Sequence, residues 1–214
     1  MTKARSTRVS SRKHPRQARS NALVDAVLDA AVQVLVSEGA SRFTTARVAE
    51  RAGVSVGSLY QYFPNKAAIL FRLQSDEWRR NMALLGSILE QDGSPPLARA
   101  RRLVHVFVRS ECEEAPIRLA LGDAAPLYRD APEAIEAHAA AAGIVGKFMA
   151  EVLPHASDAE RALAGDLLET TLSAVGSAFS AEPRTDAEIH GFSEELADML
   201  CAYLQRKMRA DAAT

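Results

Sequence analysis

Between Thr44 and Lys66 the chain gathers side chains that can grip a phosphate or read a base edge. The run is TTARVAERAGVSVGSLYQYFPNK. The hydroxyls of Thr44, Thr45, Ser55 and Ser58, the phenols of Tyr60 and Tyr62, the amide of Gln61 and the cations of Arg47 and Lys66 all donate hydrogen bonds of the kind that hold phosphate oxygens. Val56 offers a methyl surface for a thymine, and Gly57 leaves bare backbone for close approach. Covalent chemistry is not signalled. There is no G-x-S-x-G elbow, no phosphate-binding glycine loop, no H-E-x-x-H and no paired-cysteine motif, so no enzyme is expected. His105, Arg109 and Cys112 recur at steps of four and three on one helix face. They supply too few good ligands, and neither a metal nor a cofactor is expected.

Such residues act only if rigid elements aim them. Leu23, Val27, Ala30 and Val34 recur at helical spacing from about Arg16 to Glu38, and Gly39 stops that helix as a left-handed cap. Thr44 or Thr45 can cap a second, short helix through Ala52. Gly53 ends it, Ser55 can cap a third running to about Phe63, and Pro64 with Asn65 opens a long fourth. The pattern is helix, tight turn, helix. Val48, Ala49 and Ala52 form the apolar face of the second helix, and Leu59 and Phe63 pack back onto it. That leaves Val56, Gly57, Ser58, Tyr60, Gln61 and Tyr62 outward, a face that can enter a major groove with the helix N-terminus near phosphates.

Beyond residue 66 helical starts and stops repeat without a strand pattern. Ser94 and Pro95 open a helix carrying Leu97, Val104, Phe107 and Val108, and Pro116 and Pro126 bound an irregular segment. Asp130 with Glu133 opens another, whose apolar stripe runs Ile135, His138, Ala142, Val145, Met149 and Val152. Ser157 with Glu160, and Thr185 with Glu188, form capping boxes. The expectation is an all-α chain of about nine helices.

Charge is divided unevenly. Residues 1–80 hold fourteen Lys+Arg and six Asp+Glu, a net of +8, and the remainder carries −9. A basic end on an acidic body fits contact with a polyanion at that end alone. Residues 1–15 lack apolar anchors and read as a disordered basic arm. No run of about 18 uninterrupted apolar residues suggests a membrane span. Cys112 and Cys201 stand far apart in no metal spacing, as free thiols of a reducing cytoplasm do.

The run AERAGVSVGSLYQYFPNK, with VLDAAVQVLVSEGASRFTT before it, resembles the N-terminal domain of the TetR family of bacterial transcription regulators, over about residues 16–70. The resemblance implies a helix-turn-helix domain over 16–66 and a ligand-binding and dimerising domain over 67–214. It implies phosphate contacts by Thr45, Tyr60, Tyr62 and Lys66, base-edge contacts by Val56, Gly57 and Ser58, and weaker roles for Arg19 and Arg47. Thr44, Ser55 and Gln61 complete the expected DNA-binding set. Ligand contacts are sought among Phe71, Trp78, Phe107, Tyr128, His138 and Phe148, large or polar-aromatic groups on helices that would surround a pocket. A dimer interface is sought among Leu167, Thr171, Ala174, Val175 and Ala178 on one helix and Phe192, Leu196, Met199 and Tyr203 on the last. Small residues allow close helix approach there. Periodicity alone fits an intramolecular core equally well, and the symmetric pairing of helix-turn-helix heads favours the interface. The implied function is a cytoplasmic, homodimeric repressor released from a palindromic operator in double-stranded DNA by a small-molecule inducer. An activator, or a regulator without a ligand, is the alternative of the same fold. A helical module whose head binds protein or membrane is the reading of a different class.

Overall fold

The computed structural model describes residues 18–91, 93–124 and 143–213, and among them lie nine helical segments and no strand. In chain order these are α1 (Ala18–Glu38), α2 (Thr45–Arg51), α3 (Val56–Tyr60), α4 (Lys66–Leu89), α5 (Pro96–Glu113), α6 (Ala115–Ala124), α7 (described over 143–152), α8 (Asp158–Phe179) and α9 (Asp186–Asp211). The all-α expectation holds. The basic arm, the Asp130 cap, Tyr128 and His138 lie outside the described residues.

The described residues divide into two compact units, one drawn from 18–79 with 116–124 and one from 80–115 with 143–213. The core of the first is built from Val27, Ala31, Val34 and Leu35 of α1, Phe43 of the turn before α2, Val48 and Ala49 of α2, Leu59 of α3, Phe63, and Ala68, Ile69 and Leu70 of α4. Leu121 of α6 joins the same core, so the packing that supports the helix-turn-helix draws on residues well past 66. Ser20–Glu38 is, among the described residues, the one helical stretch long and apolar enough to cross a membrane by length and composition. Here Val27, Ala31, Val34 and Leu35 spend that apolarity on the core of this unit.

The local stops act as their chemistry requires. Gly39 (φ +76°) and Gly53 (φ +67°) take the left-handed conformation that other residues resist. Three boundaries depart from expectation. Tyr60, not Phe63, ends α3, and a turn follows. Pro95 rather than Ser94 is the N-cap of α5, with no side-chain cap bond, because Pro96 already presets the first helical φ. The break beside Pro116 falls at Glu114, and Pro116 itself sits in the first turn of α6, where its missing N–H would have had no helical partner.

In the second unit α5 packs along α9 and against α8. Val104 and Val108 of α5, Met149 and Val152 of α7, Leu168 and Leu172 of α8 and Leu196, Leu200 and Leu204 of α9 are buried in one core. Gly176 is what lets α8 approach α5: a Cβ there would stand 2.8 Å from Phe107 Cε1 and 3.1 Å from Glu111 Cγ. Buried Arg99 ties the end of α4 to α7. It donates to the Leu89 carbonyl and to Glu151, and its guanidinium lies 5.4 Å from the centre of the Phe148 ring. One of the orphan carbonyls at α4's end thereby gains a donor. Both expected capping boxes are formed, Ser157 with Glu160 on α8 and Thr185 with Glu188 on α9.

Candidate nucleic-acid interface

Thr44 caps α2, its hydroxyl accepting from Arg47 N at 3.3 Å. Ser55 caps α3 in the same way, accepting from Ser58 N at 3.0 Å. The Ser58 hydroxyl lies 2.8 Å from Ser55 Oγ, so these two side chains hold each other as well as the helix start. Asn65 Oδ1 accepts from Ala68 N at 2.9 Å and sets the first turn of α4, which leaves Lys66 exposed on that turn. The caps satisfy donors that a short helix cannot satisfy internally.

The frame brings together residues that are distant in sequence. Thr45 Oγ1, at the start of α2, lies 3.1 Å from Tyr60 Oη, at the end of α3. The Tyr60 ring is exposed, so two hydroxyls meet at the surface. Val56 and Gly57 are exposed on the first turn of α3, and Gln61 follows on the same exposed edge. Thr44 and Arg47 are exposed as well, and Arg47 is ion-paired with Glu38 of α1.

Tyr62 is the correction. It was expected outward with a hydroxyl toward phosphate, yet it is 7% exposed and belongs to the core of the first unit. The cause is the early end of α3. The amides of Tyr62 and Phe63 both donate to the Leu59 carbonyl, a turn that carries both rings inward. Sequence periodicity assumed a helix continuing to Phe63, which would have aimed Tyr62 the other way.

Of the six residues sought as ligand contacts, the four described ones divide between the two units. Phe71 and Trp78 meet edge to face, with centroids 6.4 Å apart, within the first unit's core. Phe148 is buried in the second unit's core beneath Arg99, and Phe107 packs at Gly176. Tyr128 and His138 lie outside the described residues.

The residues sought as a dimer interface divide between inside and outside. Leu196 is buried in its own chain, 5% exposed, and Phe192 stacks on Phe179 with centroids 3.9 Å apart and planes 6° apart. Both serve the intramolecular core, the alternative that periodicity left open. Tyr203 is half-buried under Arg206, and Thr171 and Val175 are half-buried. Leu167, Ala174, Ala178 and Met199 face outward. Leu163, 65% exposed one turn before Leu167, extends the outward stripe of α8 and was missed, though its step of four was readable in the sequence. Close to this stripe, Glu169 is held above the ordinary carboxylate range by partial burial and then by Asp166. Cys201 is likewise pushed up by burial, and its thiol sits 3.5 Å from the Leu97 carbonyl, an inert rather than a reactive setting.

Comparison with known proteins agrees with this geometry. Residues 27–73 match the model described as bacterial regulatory proteins, tetR family, and residues 95–207 match the tetracyclin repressor-like C-terminal domain. The chain is 39% identical over 83 residues to the nucleoid occlusion factor SlmA of Vibrio campbellii, a match covering 38% of this chain and 42% of that protein. The chain thus spans half or less of the length of the first such curated relatives. Among solved structures, the fatty acid degradation regulator FadR of Bacillus halodurans superposes with a TM-score of 0.66 at 18% identity, over 88% of this chain and 96% of that one. FadR of Bacillus subtilis, crystallised with stearoyl-CoA, gives 0.65 at 15% identity over 83% and 97%. At these identities the likeness to solved structures is one of fold. The family rests instead on the two sequence models, one of which spans more than half of the residues, and the chain belongs to the tetR family of bacterial regulatory proteins.

Proposed function

We propose that the chain is a sequence-specific DNA-binding transcription regulator that acts as a symmetric pair on a palindromic operator, with α3 in the major groove. The observation that carries this reading is the exposed edge where the Thr45 and Tyr60 hydroxyls meet beside Val56 and Gly57. The hydroxyls and Lys66 would hold phosphate oxygens, which sets register. Val56, Gly57, Ser58 and Gln61 would face base edges, which sets sequence. The basic excess of residues 1–80 supplies the general attraction to a polyanion.

A repressor released by a small molecule is the form of regulation this reading favours. The stearoyl-CoA bound to the Bacillus subtilis neighbour suggests an apolar or acyl-bearing ligand class for the C-terminal domain. Release would follow if the ligand favours a head separation that no longer spans two half-sites. Pairing is assigned to the outward faces of α8 and α9, led by Leu163, Leu167 and Met199. A cytoplasmic location follows from the same role.

The test is selection of bound duplexes from a random pool at two salt concentrations. The expected result is a palindromic consensus that survives the higher salt while overall affinity falls steeply. Binding without any consensus, lost at modest salt, would reduce the head to a general polyanion binder and sink the reading.

A further inference from the structure

Three ligand-bearing side chains converge in the second unit, outside the helix-turn-helix. His105 lies midway along α5, and His190 and Glu194 stand one turn apart on α9, so both point from the same face. α5 packs along α9, and the result is a cluster whose ligand atoms all lie within 4.8 Å of one another. His105 Nε2 is 3.3 Å from Glu194 Oε1, and the His105 and His190 rings are 5.7 Å apart with planes tilted by 37°. Tetrahedral zinc bonds of about 2.0–2.1 Å place neighbouring ligand atoms roughly 3.3 Å apart. One edge of such a tetrahedron is therefore already formed, and rotation of the His190 ring would complete the triangle.

The surroundings favour a ligand role for this carboxylate. Arg101 Nη1 donates to Glu194 Oε2 at 2.7 Å, which orients the group and leaves Oε1 to face the imidazoles. Arg101 is itself held by Asp198. His190 is exposed and His105 and Glu194 are half-exposed, and among the described residues none closes the cluster to an entering ion or to water at a fourth position. A plain His105–Glu194 ion pair would explain two of the three residues and gives His190 no part. α5 alone, with His105, Arg109 and Cys112, offers too little for a metal; the other two ligands come from α9.

We infer that His105, His190 and Glu194 form a site for a divalent transition metal of the zinc class, joining α5 to α9. Two imidazoles and one carboxylate suit zinc, cobalt or nickel and disfavour calcium or magnesium. Binding there would stabilise the folded state by mass action, whatever the head binds.

The test uses the full chain without a histidine tag, stripped with chelator and titrated with zinc by calorimetry and with cobalt by visible absorption. One equivalent per chain and a higher Tm are expected. His190→Ala and Glu194→Gln should each weaken binding at least tenfold with the helical signal intact, because both residues are at least partly exposed. His155→Ala, elsewhere on the chain, should leave binding unchanged. The site is refuted if no saturable binding is seen, or if binding persists undiminished in both variants.

Discussion

Gly57 is exposed on α3, and a Cβ built there meets only Ser55 Oγ, at 3.8 Å. Its backbone is not in the left-handed region. Among the described residues nothing requires a glycine here, so a requirement would come from a partner. Gly57→Ala should stabilise the free protein by about 0.5–1 kcal/mol, the usual gain for alanine within a helix. It should weaken operator binding about tenfold, which corresponds to about 1.4 kcal/mol of lost contact. Denaturant unfolding and a duplex titration measure the two effects separately. Unchanged DNA affinity would take Gly57 out of the interface. Tyr62 teaches the opposite lesson at the same scale: its residue type suggested a phosphate contact, and its burial assigns it to the core.

At the scale of elements, the contact of α8 with α5 hangs on one missing methyl group. The Cβ that would stand 2.8 Å from Phe107 Cε1 predicts that Gly176→Ala destabilises by about 1–3 kcal/mol, as overpacked cores do. This is the reverse of the Gly57 outcome, and thermal unfolding of the two variants side by side checks both. The capping boxes predict a pH effect. Glu188 is held below the ordinary carboxylate range by hydrogen bonds from the Thr185 backbone and side chain, and Glu160 by the side chain and then the backbone of Ser157. A lowered folded value means each contribution is fully present above the unfolded value and fades as pH falls through the folded one. Glu188→Gln should therefore flatten the acid limb of a Tm-against-pH curve and leave its neutral limb parallel to the parent. An acid limb as steep as the parent's would show that the box contributes nothing through charge.

At the scale of the whole molecule, the outward apolar side chains of α8 and α9 bear on pairing. Leu163, Leu167 and Met199 are 65%, 46% and 53% exposed, large apolar side chains on the outward faces of α8 and α9. If those faces meet in a dimer, Leu167→Glu should raise the dimer dissociation constant by more than tenfold, since a central apolar anchor typically contributes about 2 kcal/mol or more. Sedimentation against concentration reads this directly. Met199→Glu should act in the same direction. Dimers of parent strength in both variants would move the interface to another surface, while the head's fold would be untouched.

Much of this protein was legible in its residues alone, for a physical reason. Helix starts and stops depend on neighbours three or four residues away, so Gly39, Gly53, Ser55, Asn65 and both capping boxes could be read directly from spacing, and the cap of α2 was narrowed to Thr44 or Thr45. The helix-turn-helix is a local motif as well: of the face expected outward on its second helix, Val56, Gly57, Tyr60 and Gln61 are exposed, while Ser58 is half-buried and Tyr62 is buried. What spacing could not decide was anything set by long-range packing. The turn after Tyr60 took Tyr62 into the core; Leu196 and Phe192 found partners within their own chain. The Thr45–Tyr60 pair, and the meeting of His105 with His190 and Glu194 across 85 and more residues of sequence, exist only because the tertiary fold lays one helix beside another.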